Sequence, residues 1–183
     1  AAIAEPLDAV TPDQPGPERN KIFNTLAVSA KGDPEVVRQA VAAAANYPSE
    51  DHRFQMVMGA LSYARTPDAQ SALLDLYADG TLDQIGRQSV IDAFTLMDAP
   101  ASPEAIDMLQ DAFQSDDPEL RSRAGLALGS AQRNNPNQDL RSWIRREWAA
   151  AKNDVDRQTV LEYVGNSGDP ELLSIVDEAL RVG

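Results

Sequence analysis

Ser102-Pro103-Glu104-Ala105-Ile106-Asp107-Met108-Leu109-Gln110-Asp111-Ala112-Phe113 is a helix with its start signal attached. A Ser at the N-cap accepts a bond from an otherwise unpaired backbone N–H, and Pro at the first helical position gives up a donor that had no partner. Ile106, Leu109 and Phe113 then follow at helical spacing. The same signal stands at Asp33-Pro34, Thr66-Pro67, Asn135-Pro136 and Asp169-Pro170, so the five prolines are separated by 33, 36, 33 and 34 residues. A near-constant period of this length marks an array of helical units.

Between the signals lie further helices, because Val57/Leu61, Val90/Phe94, Ala124/Leu128 and Val160/Val164 are spaced i,i+4 on one face. Each unit therefore reads as two antiparallel helices, A and then B. In the first, Ile22, Phe23 and Leu26 face Val36, Val37, Ala40 and Val41. In the last, the B stripe is Leu172, Leu173, Val176 and Leu180. Ser49 reads as the cap of the second A helix, and Gly129 and Gly165 read as helix-ending residues. Met97 and Met108, at helical positions, read as core filler. Residues 1–17, with Pro6, Pro12, Pro15 and Pro17, read as an extended leader or linker ahead of a helical domain at 18–183.

A chain of 183 residues, 43% hydrophobic, is long enough to bury a core. Its net charge of −13 argues against nucleic-acid backbones and anionic membrane surfaces. No apolar run reaches transmembrane length. Without cysteine there is no disulfide, thiolate site or Cys nucleophile. A first residue of Ala1 reads as a processed product or an excised piece of a longer chain.

Two stretches, Leu76-Tyr-Ala-Asp-Gly-Thr-Leu-Asp-Gln-Ile85 and Pro118-Glu-Leu-Arg-Ser-Arg-Ala-Gly-Leu-Ala-Leu-Gly129, resemble HEAT-like repeats of the superhelical domain of vitellogenin and lipovitellin. Gly165-Asn-Ser-Gly-Asp-Pro-Glu-Leu-Leu173 resembles HEAT-like repeats more widely, those of phycobilin lyases included. The resemblance covers about two repeats and implies an all-α fold, a right-handed α-solenoid of about five HEAT-like hairpins. The lipovitellin likeness implies lipid carriage, an activity that in that family needs additional β-sheets.

For catalysis the inventory is thin. His52, the only histidine, has no His or Cys partner for a metal, and Ser49 beside it serves as a cap. No phosphate loop and no His-Glu helix motif is present, so the expectation is a non-enzymatic protein with no cofactor and no metal. The one marked basic cluster is Arg141, Arg145 and Arg146 on Leu140-Arg-Ser-Trp-Ile-Arg-Arg-Glu-Trp148, with Arg133 and Lys152 near it. Counting eight residues from Pro34, Pro67, Pro103 and Pro170 gives Ala42, Asp75, Asp111 and Glu178, and nine from Pro136 gives Arg145, a row along the outward ridge of the B helices. The expected function is an interaction scaffold binding a protein or peptide along the concave ridge of B helices, with Arg141 and Arg145 anchoring an acidic partner and Arg146 a further partner-binding residue. The alternatives are a lipid or hydrophobic-ligand carrier, and a repeat domain of a larger enzyme. A purely structural role for the arginines, neutralising acids on adjacent units, is the competing reading of the cluster.

Overall fold

The computed structural model describes residues 7, 8, 10, 11 and 16–182, and among them every regular element is helical. The chain divides after Asp98 into two compact units, Ala1–Asp98 and Ala99–Gly183.

The first unit holds α1 (Gly16–Gly32), α2 (Pro34–Ala44), α3 (His52–Ala64), α4 (Pro67–Ala78) and α5 (Gln84–Leu96). Helix α1 packs on α3, α3 on α5, and α2 on α4. Their apolar stripes meet in a core that includes Leu26, Val37, Phe54, Val57, Leu61, Leu73, Val90 and Ile91. Phe23, on α1, stacks edge-on against Tyr63 of α3 at 5.5 Å. It can do so because Gly59 leaves room: a Cβ there would sit 3.2 Å from the Phe23 ring.

The described part of the 1–17 stretch is docked on this unit. Leu7 and Val10 are 1% and 2% exposed. The Tyr47 hydroxyl donates to Asp8 at 2.5 Å, and His52 Nε2 lies 3.2 Å from the Val10 carbonyl. An isolated pair of apolar side chains spaced i,i+3 is enough to hold the strand of chain down once it finds an apolar seat. The remainder of residues 1–15 lies outside the described residues, and α1 already begins at Gly16.

The second unit holds α6 (Pro103–Phe113), α7 (Pro118–Asn134), α8 (Gln138–Ala150), α9 (Asp154–Ser167), a 3-10 turn (Pro170–Leu172) and α10 (Leu173–Val182). Helix α6 packs on α7, and α7 packs closely on α9. The close approach runs through Gly125 and Gly129, one turn apart. A Cβ on Gly129 would meet the Tyr163 carbonyl oxygen at 2.7 Å, and one on Gly125 would meet the Thr159 carbonyl oxygen at 3.0 Å.

Gly129 is thus interior to α7 and is no helix-ending residue. Gly165 likewise lies within α9, which ends at Gly168 with φ 59°. Ser49 is not the cap of α3, which is capped by Asp51, whose side chain accepts from the Arg53 amide at 2.8 Å. Met97 is buried and Met108 half-buried. The stripe expected on the last helix is partly out of phase: Leu172 and Ile175 are buried, whereas Leu173 and Leu180 are 56% and 77% exposed. The 3-10 turn ahead of α10 shifts the phase of the helix that follows it.

Four of the five cap–Pro signals start a helix where expected, with the caps Asp33, Thr66, Ser102 and Asp169 each accepting a backbone N–H. Such a cap is typically worth about 1 kcal/mol. The fifth does not. Asn135 closes α7, and α8 is capped by Asn137, which accepts from Asp139 at 2.7 Å. Counted from the true caps, Leu140 matches Ala105 and Ile144 matches Leu109, all four of them buried. The residue of α8 equivalent to Asp75, Asp111 and Glu178 is therefore Arg146, and Arg145 lies one position off that line.

Candidate functional site

The basic cluster on α8 divides into residues held by the fold and residues left outside it. Arg141 belongs to the first group. Its Nε donates to Asp169 Oδ2 at 2.6 Å, and its other end reaches Glu171 at 3.1 Å. The Arg141 side chain is 17% exposed and that of Asp169 5%. Asp169 is the hub. Its Oδ1 accepts the Glu171 amide at 3.0 Å, capping the 3-10 turn, while Oδ2 also accepts from the buried Gln132 side chain at 2.7 Å. Gln132 in turn accepts the Asn137 amide at 3.0 Å, which ties the start of α8 into the same network. Burial pushes the Asp169 carboxyl up, but bonds from Arg141, Gln132 and the Glu171 amide outweigh it and hold the group below the usual carboxylate range.

Arg145 donates to the Glu171 backbone carbonyl at 2.6 Å, and the Trp148 indole N–H donates to Glu178 at 2.8 Å. Three successive turns of α8 are thereby stitched to the 3-10 turn and α10. Two of the six ridge candidates, Arg141 and Glu178, are spent within this seam, and Arg145 is partly spent there. Arg146 and Asp111 are exposed in the same unit, and Asp75 is exposed on α4 of the first unit. The structural role for Arg141, set out above as the competing reading, is the one its geometry supports: its side chain turns in toward Asp169 instead of away from the core.

Behind the seam sits Tyr163, fully buried, stacked edge-on at 6.4 Å from Trp143, which in turn meets Phe113 at 4.9 Å. Its hydroxyl has no hydrogen-bond partner among the described residues, and burial pushes its pKa up. An unmade hydrogen bond in the interior costs about 1–3 kcal/mol. Tyr163→Phe is accordingly expected to leave stability unchanged or raise it by up to about 1 kcal/mol in urea unfolding. A clear loss would mean that the hydroxyl serves a partner such as a buried water.

No group of three or more His, Cys, Asp or Glu side chains among the described residues is arranged to hold a metal ion. His52 spends its two ring nitrogens near the Val10 carbonyl and the Asp51 carboxylate, the latter at 3.3 Å. No described helix is long and apolar enough to cross a membrane.

Among the described residues of the second unit, two concavities flank the end of α8. The larger, about 710 Å³, runs beside Trp148 between α8, α9 and α10. The smaller, about 250 Å³, lies over Phe113, Arg121 and Thr159. Neither was legible from the sequence, since the lining of each comes from separate helices whose mutual placement no local pattern gives. In comparisons with protein-family models, curated proteins and solved structures, the chain matches none.

Proposed function

We propose that the chain is a right-handed α-solenoid of HEAT-like hairpins that works as a non-enzymatic interaction scaffold. In this reading it takes a protein or peptide along the outer ridge of its B helices. The observation that supports it is the layering inside each unit. Alternate helices α1, α3 and α5 pack in succession, as do α7 and α9, and α2 packs on α4 in a second layer. Elements of this kind present a row of equivalent outward positions. Within the second unit those positions are Asp111, Arg146 and Glu178, with Arg146 the cation available to an acidic partner. The lipid-carrier alternative is less well supported, because four of the ten residues lining the larger groove are charged.

The array itself is tested by small-angle scattering. A solenoid gives a radius of gyration clearly above the roughly 16 Å of a compact domain of 183 residues, and a value at 16 Å overturns it. The binding face is tested with a photo-crosslinking residue at position 146 on the ridge and, separately, at position 133 on the A helix of the same hairpin. Cross-linking to a defined partner from the source cell should occur from 146 and not from 133. Equal yields from both positions would sink the ridge.

A further inference from the structure

We infer that the segment carrying Leu7, Asp8 and Val10 is a detachable strap on the first unit, closed by the charged form of His52 and loosened by its neutral form. Few contacts hold it, so one bond can switch it. Leu7 and Val10 are buried, and the Val10 amide donates to the Leu7 carbonyl at 3.0 Å, which puts both anchors on one turn. Two side chains of the unit reach the strap: the Tyr47 hydroxyl donates to Asp8 at 2.5 Å, and His52 Nε2 lies 3.2 Å from the Val10 carbonyl oxygen. Both belong to one fixed corner. The Arg53 guanidinium lies 4.0 Å from the centre of the Tyr47 ring and bonds both oxygens of Asp51, Nε to Oδ1 at 3.0 Å and Nη2 to Oδ2 at 2.7 Å. Asp51 Oδ1 in turn stands 3.3 Å from His52 Nδ1.

The switch follows from the protons on the imidazole. Both ring nitrogens face acceptors, the Val10 carbonyl and the Asp51 carboxylate, and a neutral ring carries a single N–H. With the proton on Nε2 the strap is held, but the Nδ1 lone pair points at a carboxylate. With it on Nδ1 the ring bonds Asp51, and the Nε2 lone pair points at the Val10 carbonyl. Only the doubly protonated ring makes both bonds, and its bond to the strap is then charge-assisted. Asp51 stays charged throughout, since hydrogen bonds from the Arg53 side chain hold it at about 2. The other charged groups of the corner are Arg53 on α3, Asp8 on the strap, Glu50, which is exposed, and Asp83 at the cap of α5, which accepts from Ser49. The ring makes no further hydrogen bond or ion pair among the described residues. A docked state that takes up a proton is favoured at low pH and loses that advantage as pH rises through the histidine range.

The test is thermolysin cleavage of the full chain at the Ala9–Val10 bond, at about pH 5.5 and about pH 8, either side of the ordinary histidine value of about 6.5. Each rate is divided by that of a free peptide of residues 1–16 at the same pH, and mass spectrometry counts the released fragment. The wild type is expected to be protected at both pH values, about fivefold more at the lower one. His52→Gln and His52→Asn, which keep a neutral donor, should remove the dependence on pH. Tyr47→Phe should weaken protection equally at both and keep the ratio, and Leu7→Ser should abolish protection at both. The inference is overturned if wild-type protection is the same at both pH values or greater at the higher, if both His52 variants keep the wild-type ratio, or if the bond is cut in the full chain as fast as in the free peptide.

Discussion

Gly129→Val is expected to unfold the second unit under conditions where the wild type is folded, with a loss of about 3 kcal/mol or more in urea titration. Even the first carbon of a side chain at this position would come within 2.7 Å of the Tyr163 carbonyl oxygen, 3.0 Å of Asn166 Cβ and 3.1 Å of the Ser167 amide. Two of these three atoms are backbone and cannot rotate away. Relief requires α9 to move off α7, which would open the contact between the two most closely packed helices of the unit and uncover Ala124, Leu128, Val160 and Val164. The matched control is Gly165→Ala on α9 itself, where an added Cβ meets nothing within 4 Å and the residue is exposed. That change should stabilise the unit by about 0.5–1 kcal/mol, as Gly gives way to Ala within a helix. If both glycines behave alike, close packing at Gly129 is not what its identity serves.

That contrast also marks how far the sequence could be read. Helix positions followed from local chemistry, and a cap with Pro or an i,i+4 apolar pair specifies its helix wherever the chain goes afterwards. The exceptions had local causes too. Asn135-Pro136-Asn137 offers two caps, and only the spacing of Leu140 and Ile144, three and seven residues on, selects Asn137, the same spacing that places Ala105 and Leu109 after Ser102. Gly129 reads locally as a terminator, although Gly125 one turn earlier shares its face, and two glycines on one face let another helix approach closely. The fate of the arginines was not legible. Arg141, Arg145 and Arg146 differ little in sequence context, yet the first meets a carboxylate 28 residues away, the second a backbone carbonyl 26 residues away, and the third neither. Which one is spent on the fold depends on where the 3-10 turn at Pro170 comes to rest, and that is set by tertiary packing. The groove was invisible for the same reason, since it is made of alanines on facing helices.

Arg141→Glu should lower the melting temperature by about 5–10 °C, whereas Arg146→Glu should leave it within error. The difference lies in what each change strands. Asp169 is nearly buried and its carboxylate is kept charged by Arg141, Gln132 and the Glu171 amide. With Arg141 reversed, three carboxylates, at positions 141, 169 and 171, would crowd one corner with only Gln132 and one amide to serve Asp169. Arg146 is exposed, and its side chain has no partner among the described residues, so nothing is uncovered when it changes sign. The two variants thus separate the structural from the recognition role within one cluster. Acid titration gives an independent check. A carboxyl held below its unfolded value, about 3.9 for Asp, contributes stability that is fully present above that value and is lost as pH falls through the folded-state pKa. Asp169 in the second unit and Asp51 in the first, the latter held at about 2 chiefly by hydrogen bonds from the Arg53 side chain against the cost of burial, both belong to this class. Wild-type stability should therefore fall between about pH 4 and pH 2. Asp169→Asn, which keeps an acceptor for the Glu171 amide, should start from a lower stability at neutral pH and lose less of it over that interval, with the first unit's own acid loss through Asp51 unaffected. An Asp169→Asn variant whose acid profile parallels the wild type would show that the Arg141 pair carries no charge-dependent stability.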